Sequence, residues 1–279
     1  MSANVEPLHP EDTPALRALL SRDVPSNMYL LGLLAEFGIA PASGRAPFAF
    51  YGNRHGGELS AAVFVGGSGG LVVPSASDER EIAPIAEHIS KPVRLRAAQG
   101  EKQAVDTLVR YLCPERPRLS KLQRVFAVSA DDLGPFTNPT MRLATEADVP
   151  QLVHMAAAEK LETMGHDPLA KEADAFEAAV RQRIRSRRTY VLEENKRLVF
   201  KIEVGSRSQF GAELEGLFTL QEERRRGHAT LSLGQISRHL LSSLPRLTLR
   251  VDEDNPSIAG VARKVGYVAG KLHRLVVAG

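Results

Sequence analysis

Cysteine is nearly absent from this chain, since Cys113 is the only one among 279 residues. A single thiol excludes an intramolecular disulfide and a cysteine-rich zinc site. Cys113 ends a helical pattern in RYLCPERP, with no histidine beside it and no helix start next to it. Because such surroundings do not activate a thiolate, we expect a buried or incidental thiol and not a nucleophile.

Long apolar runs are absent as well. No stretch approaches the roughly 18 consecutive apolar residues of a membrane-spanning helix. The start, MSANVEPLHPEDTPALRALL, carries acids and prolines in place of the basic start and apolar core of a signal peptide. We therefore expect a cytoplasmic protein with no membrane partner.

Extremes of composition are also missing. A composition of 43% hydrophobic and 25% charged residues is typical of a globular protein and not of a disordered, collagen-like or coiled-coil chain. Its length suggests about two domains. The net charge is +3, and the basic surplus lies after position 140, where 22 Lys and Arg face 18 acids. An anionic ligand could use that surplus.

The two halves of the chain follow one plan. Three residues recur at an offset of 136 positions, since Asp12, Pro14 and Leu16 in EDTPALRALL return as Asp148, Pro150 and Leu152 in ADVPQLVHMA. Each copy follows a short apolar strand and opens a helix. After it, both halves are predicted to continue with a second helix, several strands, and then helix, strand, helix, strand. This order favours an internal duplication.

Hydrophobic periodicity places the elements of each half. In the first half it predicts helices at about 13–21 and 26–37, a strand in PVRLRAA, and a hairpin turn at GGSGG (66–70). In the second half it predicts helices at 146–160, 171–186, 226–241 and 256–265. The segment SADDLGPFTNP has the turn-forming composition of a linker. We thus predict domains at residues 1–130 and 140–279, joined by 131–139.

One stretch of the second half, LFTLQEERRRGHATL, passes from an apolar strand through a basic turn into a helix. The first turn of a helix leaves backbone N–H groups unpaired and carries the positive end of the helix dipole. Gly227 and Ala229 are small enough for a close-approaching phosphate, and Arg224 and Arg226 add charge at the rim. These features predict a diphosphate site.

The pattern Arg224-x-x-Gly227-x-Ala229 resembles the coenzyme A pyrophosphate loop of the GNAT N-acetyltransferases. The later stretch RVDEDNPSIAGVARKVGY resembles that family's next strand and helix, with Asn255 as N-cap and Gly266 as the stop. FKIEVG and LETMGHDP further resemble a bacterial subfamily with two GNAT-like halves. Of these halves, only the second keeps the full coenzyme motif.

The resemblance implies an α/β (α+β) fold of tandem GNAT-like domains, each with a mixed, largely antiparallel central sheet flanked by helices. It also implies that acetyl-CoA, or another acyl-CoA, is the co-substrate. The residues it assigns to the coenzyme are Phe218, Thr219, Leu220, Arg224, Arg225, Arg226, Gly227, His228, Ala229, Thr230 and Asn255.

The first half lacks the coenzyme loop. Its corresponding helix begins in SDEREIAPIAEHI, which is acidic and has no glycine, and an acidic helix start repels a diphosphate. We therefore interpret residues 1–130 as a degenerate copy that serves structure, dimerisation or the shape of the acceptor cleft. The last strand of the chain is expected to lie at a sheet edge, where it could pair with a second copy in a homodimer.

By resemblance, the reaction is transfer of an acyl group from acyl-CoA to an amine by direct attack. Glu213 and Glu215 are the candidate bases, and Glu213 stands eleven residues before Arg224, as in the histone-acetylating members. The bland alternative is that both acids face solvent or pair with Lys201 or a neighbouring arginine. Strict alternation would put Leu217 and Thr219 on their face, with Ala212, Leu214 and Phe218 opposite.

The oxyanion donor implied by the resemblance is a backbone N–H near Phe218 or Thr219, where the family's strand bulges. Gly216 is compatible with such a bulge. The family's usual general acid, a tyrosine, is replaced by Ala262. Tyr267 is expected to be an aromatic core residue and not a catalytic phenol.

Other readings compete with catalysis. A non-catalytic module that senses acyl-CoA or acts as a scaffold is the main alternative. The run RQRIRSRR (181–188) suits an exposed helix end better than a nucleic-acid patch. No spacing of His, Cys, Asp or Glu indicates a metal ion. The sequence does not identify the amine acceptor.

Overall fold

The computed structural model describes residues 4–41, 47–67, 70–76, 78–113 and 115–279. The elements of the first half are β1 Asn4–Pro7, α1 Thr13–Ser21, α2 Val24–Phe37, β2 Ala49–His55, β3 Glu58–Gly66, β4 Leu71–Ala76, α3 Ile82–Ile89, β5 Ala97–Glu101, α4 Lys102–Leu112 and β6 Leu119–Val128. The predicted turn at 66–70 lies partly outside the described residues.

The second half repeats this order. Its elements are β7 Arg142–Leu143, α5 Val149–Met164, α6 Ala173–Arg185, β8 Thr189–Glu194, β9 Arg197–Ser208, β10 Gly211–Thr219, α7 His228–Leu241, β11 Leu247–Asp252, α8 Pro256–Val265 and β12 Val268–Val277. The predicted strand in PVRLRAA begins only at Ala97. The backbone N–H groups of both Arg96 and Ala97 donate to one carbonyl, that of Gly70, so the residues before Ala97 do not form a ladder.

The recurring aspartates occupy equivalent places. Asp12 accepts from the backbone N–H of His9 at 2.9 Å, and Asp148 accepts from that of Thr145 at 2.7 Å. Each closes a 3-10 turn that leads into a helix, α1 or α5, with proline at its start. Such reciprocal capping satisfies backbone groups at a helix start. The shared plan predicted from the repeat is confirmed in the element order.

The twelve strands found in the described residues form one sheet, in the order β1-β2-β3-β4-β5-β12-β6-β11-β10-β9-β8-β7. The last strand of each half is exchanged, because β12 lies antiparallel to β5 of the first half and β6 lies antiparallel to β11 of the second. The expectation that the last strand lies at an edge is therefore wrong. The edges are β1 and β7, and β12 is covered on both sides by β5 and β6.

Helices cover the two faces of the second half's sheet. On one face α7 and α8 bury Leu233, Ile236 and Val265 against β10 and β11. On the other face α5 and α6 bury Leu152 and Val180 in a separate apolar cluster. No helix in the described part of the chain is long and apolar enough to cross a membrane.

Candidate active site

The site lies where two parallel strands separate. β10 and β11 pair only from Ala212–Leu214 to Leu247–Leu249, and beyond that point their ladder ends. A cavity of about 390 Å³ occupies the opening. Its walls come from β9, β10, β11, α5, α6, the start of α8 and Leu275 of β12, and Gln99, Lys121 and Gln123 of the first half also line it. A cavity of this size fits small-molecule sites.

A β-bulge shapes the cavity-lining part of β10. Gly216 has φ +60°, and the pairing with β9 shifts between Glu215 and Phe218. The bulge expected at Gly216 is thus confirmed. An extra residue reverses the alternation of side chains beyond it.

This reversal corrects the predicted faces. Leu217 packs with the apolar cluster that contains Leu214, whereas Phe218 is buried in the cluster of α5 and α6. The prediction that Leu217 shares the face of the two glutamates, with Phe218 opposite, is therefore wrong. The alternation rule holds only up to Gly216.

Glu213 lies deep in the cavity wall. Glu213 is only 3% exposed. Its Oε1 accepts a hydrogen bond from Nε of Arg250, on β11, at 2.6 Å, and Nη2 of the same arginine lies 2.5 Å from this oxygen in an ion pair. Burial raises the pKa of Glu213, while the Arg250 guanidinium opposes that shift. Arg250 in turn donates to Gln99 of the first half at 2.7 Å.

Glu215 belongs to a chain of ion pairs. Its Oε1 accepts from Arg183 of α6 at 2.6 Å, and the same Arg183 nitrogen also donates to Glu203. Fully buried Lys201 donates to Glu203 at 3.0 Å and to Glu159 at 2.7 Å. Lys201 and Arg183 lower the pKa of Glu203 in spite of its burial. The prediction of an arginine on a neighbouring strand is thus confirmed for Glu213, which pairs with Arg250, whereas Glu215 pairs with an arginine of a helix. Both candidate bases line the cavity.

The start of α7 has no side-chain cap. The helix begins at His228 after Gly227, which has φ +90°, and no side chain accepts a hydrogen bond from its first turn. A Cβ at Gly227 would meet nothing within 4 Å, so the space in front of the turn is open. The N–H groups of His228, Ala229 and Thr230 have no intrahelical acceptor at such a position.

Two of the three arginines of the turn are already paired. Arg224 binds Glu162 at 2.8 Å, donates to the Thr219 carbonyl at 3.1 Å and stacks over Phe218. Arg226 pairs with Glu223 at 2.6 Å. Arg225, at φ +64°, makes no ion pair with any residue in the described ranges. The two arginines predicted to add charge at the rim, Arg224 and Arg226, are therefore engaged with acids, and Arg225 is the arginine of the turn left for an anion.

His228 stands between two acids, an arrangement that no sequence spacing indicated. Its Nδ1 lies 3.4 Å from Glu194 and its Nε2 lies 3.8 Å from Glu223. The potential ligand atoms of the three residues lie within 4.8 Å of one another. The two imidazole nitrogens face different carboxylates, so a cation could contact only one of them.

The remaining predicted residues divide into cavity and core. Asn255 lines the cavity and caps α8 by accepting from the Ile258 N–H at 3.1 Å. Tyr267 is 2% exposed, and its hydroxyl lies 2.7 Å from Ser237 Oγ inside the core. Burial raises its pKa. The prediction that Tyr267 is a core residue is confirmed. Leu220 donates its N–H to Val199 at 3.0 Å, which ends β10.

Sequence reasoning missed two cavity arginines. Arg183 belongs to the run interpreted as an exposed helix end, yet it pairs with Glu203 and Glu215 in the cavity. The signal was weak, since a helix residue's direction depends on packing. The position of Arg250 could have been predicted more easily, because it is the one charged residue inside the apolar strand stretch LTLRV.

The sequence and the structure were compared with those of known proteins. No protein-family model and no curated protein matches the sequence. Solved structures do match over almost the whole chain. A tandem GNAT protein from the clavulanic acid biosynthesis pathway has 14% identity and a TM-score of 0.58, covering 100% of this chain and 99% of its own.

A GCN5-related N-acetyltransferase from Sphaerobacter thermophilus has 12% identity and a TM-score of 0.59, with 98% and 94% covered. A Drosophila protein has 15% identity and a TM-score of 0.66, with 99% of each chain covered. At such identities the likeness shows the fold. This chain has the fold of the GNAT acetyltransferases, in tandem.

Proposed function

We propose that this protein is an N-acyltransferase that moves an acetyl or other short acyl group from acyl-CoA to an amine. The observation that carries the proposal is the uncapped start of α7, the helix that follows β10, together with the opening between β10 and β11, whose wall contains Glu213 and Glu215. The fold of the solved acetyltransferases supports it.

The residues fit a diphosphate at the start of α7. Unpaired N–H groups and the helix dipole attract anions there. The open space before Gly227 admits a close approach of phosphate, and Arg225 supplies an unpaired positive charge. Asn255, whose Oδ1 caps α8, keeps its amide N–H groups for a polar chain that enters the cavity.

In the proposed reaction, an ammonium first gives a proton to a carboxylate of the cavity. The free amine nitrogen then attacks the thioester carbonyl carbon, the C–N bond forms, the C–S bond breaks, and the nitrogen loses its second proton to water. The products are an amide and the thiolate of CoA. A positioned base typically contributes about 100 to 10,000-fold to such a step.

Glu213 and Glu215 share the base role in different ways. Burial makes the Glu213 carboxylate a stronger proton acceptor than an ordinary glutamate, because it raises the pKa of that group. Glu215 is more open, since its side chain is 33% exposed against 4% for Glu213. An incoming ammonium therefore meets Glu215 first.

Neither Ala262 nor Tyr267 offers a phenol to the leaving thiolate. Ala262 is fully buried, and the Tyr267 hydroxyl is committed to Ser237. In this proposal the thiolate takes its proton from water. Lack of a positioned acid slows the reaction without preventing it.

Calorimetric titration with acetyl-CoA tests the coenzyme site. We expect micromolar binding that is lost in Gly227→Glu, because a carboxylate at that position fills the open space and repels a diphosphate. The matched control is Gly56→Glu, which makes the same exchange at another left-handed glycine, φ +60°, with open space around it. Equal binding by both variants would contradict the site.

Release of free thiol with a panel of amines tests turnover. Turnover that depends on Glu213 or Glu215 supports the acyltransferase. Coenzyme binding without turnover by any amine would instead favour the non-catalytic sensing module.

A further inference from the structure

Arg183 reaches into the cavity with only part of its guanidinium in use. Its Nη1 donates to both Glu203 and Glu215, and its Nε and Nη2 form no hydrogen bond with the residues that the structure describes. The side chain is 43% exposed. A guanidinium presents its donors as a planar fork that matches a carboxylate. Two donors of this fork are therefore available to a ligand in the cavity.

The fixed charges around the cavity already balance. The acids are Glu159, Glu203, Glu213, Glu215 and Asp252, and the cations that pair with them are Lys121, Lys160, Arg183, Lys201 and Arg250. An acceptor that carries an ammonium group but no carboxylate therefore has no unpaired carboxylate to bind in this cavity. To pair with Glu215, it must separate Glu215 from Arg183 and leave a partly buried guanidinium with less charge opposite it.

From these two observations we propose that the acceptor is a small zwitterion, in which the carbon that bears the amine also bears a carboxylate. This inference rests on the proposed acyl transfer. The acceptor's ammonium pairs with Glu215 and its carboxylate pairs with the free edge of Arg183, which lies next to Glu215. Each charge of the ligand then meets its opposite, and the charge balance of the cavity is kept. A free α-amino acid has this form.

Matched pairs of acceptors test the proposal. Each pair contains an amino acid and the amine that lacks only its carboxylate, namely alanine with ethylamine, leucine with isoamylamine and phenylalanine with phenethylamine. A site built around a polar group rejects analogues that lack it, because its own buried groups stay unpaired. We expect kcat/KM to be at least about 100-fold higher for the amino acid of a preferred pair.

Variants of Arg183 identify the residue responsible. Arg183→Gln should raise KM for amino acids by at least about tenfold and lower KM for the amines, which no longer have to separate Glu215 from Arg183, so that the preference collapses. A purely structural role would slow both members of a pair alike. Arg181→Gln is the matched control, since Arg181 lies on the same helix but pairs with Glu146 and Glu177 away from the cavity. Arg183→Lys keeps the charge without the fork, so it should lose the preference even if the glutamine variant fails to fold.

Direct binding keeps this test separate from the test of acyl transfer. Calorimetric titration of the CoA-loaded protein with each acceptor needs no turnover, and the amino acid should bind at least tenfold more tightly than its amine. Equal use of amines and amino acids would overturn the zwitterion proposal and leave the acyltransferase standing. Loss of acetyl-CoA binding and of all turnover would overturn the acyltransferase itself. Binding of neither acceptor by the loaded protein would also overturn the zwitterion proposal.

Discussion

Glu213 of β10 and Arg250 of β11 form a buried ion pair across the two strands that separate to open the cavity, with Nε of Arg250 at 2.6 Å from Oε1 of Glu213. Arg250 also donates to Gln99 and lies over the ring of Tyr29, and both of these residues belong to the first half. The first half therefore holds the arginine that positions a candidate base of the second. A half without a coenzyme loop can contribute to the site in this way.

The first prediction concerns the stability of this pair. Replacing Arg250 by methionine leaves the Glu213 carboxylate buried and unpaired, so we expect the free energy of unfolding to fall by about 3 kcal/mol. Urea denaturation measures the change. The double variant Glu213→Leu, Arg250→Met should recover more than half of the loss, because it removes the stranded charge along with its partner. Additive costs in the double variant would show that the two residues are not coupled.

The second prediction concerns the pH dependence of turnover. A base works as the carboxylate, so activity is lost as pH falls through its pKa. Because burial raises the pKa of Glu213, this loss should occur at higher pH than for an ordinary glutamate. Glu213→Gln should lower kcat by about 100-fold or more and remove that acidic limb from the profile of kcat/KM.

Glu215→Gln serves as the comparison in the same measurement. If Glu213 is the base, the acidic limb stays in Glu215→Gln while KM for the amine rises. An unchanged acidic limb in Glu213→Gln would move the base role away from Glu213.

The third prediction concerns Asp148 and acid stability. Hydrogen bonds from Arg142 and from Thr145 lower the pKa of this carboxylate. An acid with a lowered folded pKa stabilises the protein above its unfolded value of about 4, and this contribution disappears as pH falls through the folded value. Asp148→Asn should therefore cost about 1 kcal/mol at neutral pH. The gap from the wild-type protein should close on acidification.

Urea denaturation at a series of pH values measures this gap. Asp131→Asn is the control, because Asp131 is exposed in the segment between the halves. A gap that stays constant down to pH 2 would rule out the ionised carboxylate as its cause.

The sequence predicted the elements of the second half closely. The predicted helix 256–265 coincides with α8, and the helix predicted at 226–241 begins two residues early because Gly227, with its positive φ, is the N-cap. These elements follow local patterns of apolar residues and caps. The bulge at Gly216 was predicted, but its effect on the faces of Leu217 and Phe218 was not applied.

Other features of the site depend on contacts between distant residues. The direction of the Arg183 side chain, which points into the cavity, depends on the positions of Glu203 and Glu215, which lie 20 and 32 residues later in the chain. The place of β12 between β5 and β6 depends on pairing between the two halves, because β12 has the same local pattern at an edge or inside a sheet. Local periodicity indicates whether a segment is a helix or a strand, but it does not indicate which other segment that helix or strand contacts.

The exchanged strands lead to the last prediction, which concerns the boundary between the halves. The sequence places the second domain at 140–279, but in the sheet β6 lies between β11 and β12 and pairs with both. A chain of residues 140–279 lacks β6 and leaves Leu249 and Val251 without their neighbouring strand. A chain of residues 117–279 keeps seven consecutive strands of the sheet, from β12 through β6 to β7. Neither chain contains β5, so the two differ in β6 and not in the other neighbour of β12.

We therefore expect 117–279 to unfold cooperatively in urea and 140–279 to unfold without a sharp transition or to aggregate, because an open sheet edge exposes unpaired backbone groups. Circular dichroism follows both transitions. A control chain of 117–279 with Val125→Asp tests whether pairing by β6 is the cause, since Val125 is 2% exposed and an unpaired buried charge disrupts packing. If 140–279 alone unfolds as cooperatively as 117–279, then β6 is dispensable to the second unit, and the boundary predicted from the linker is the physical one.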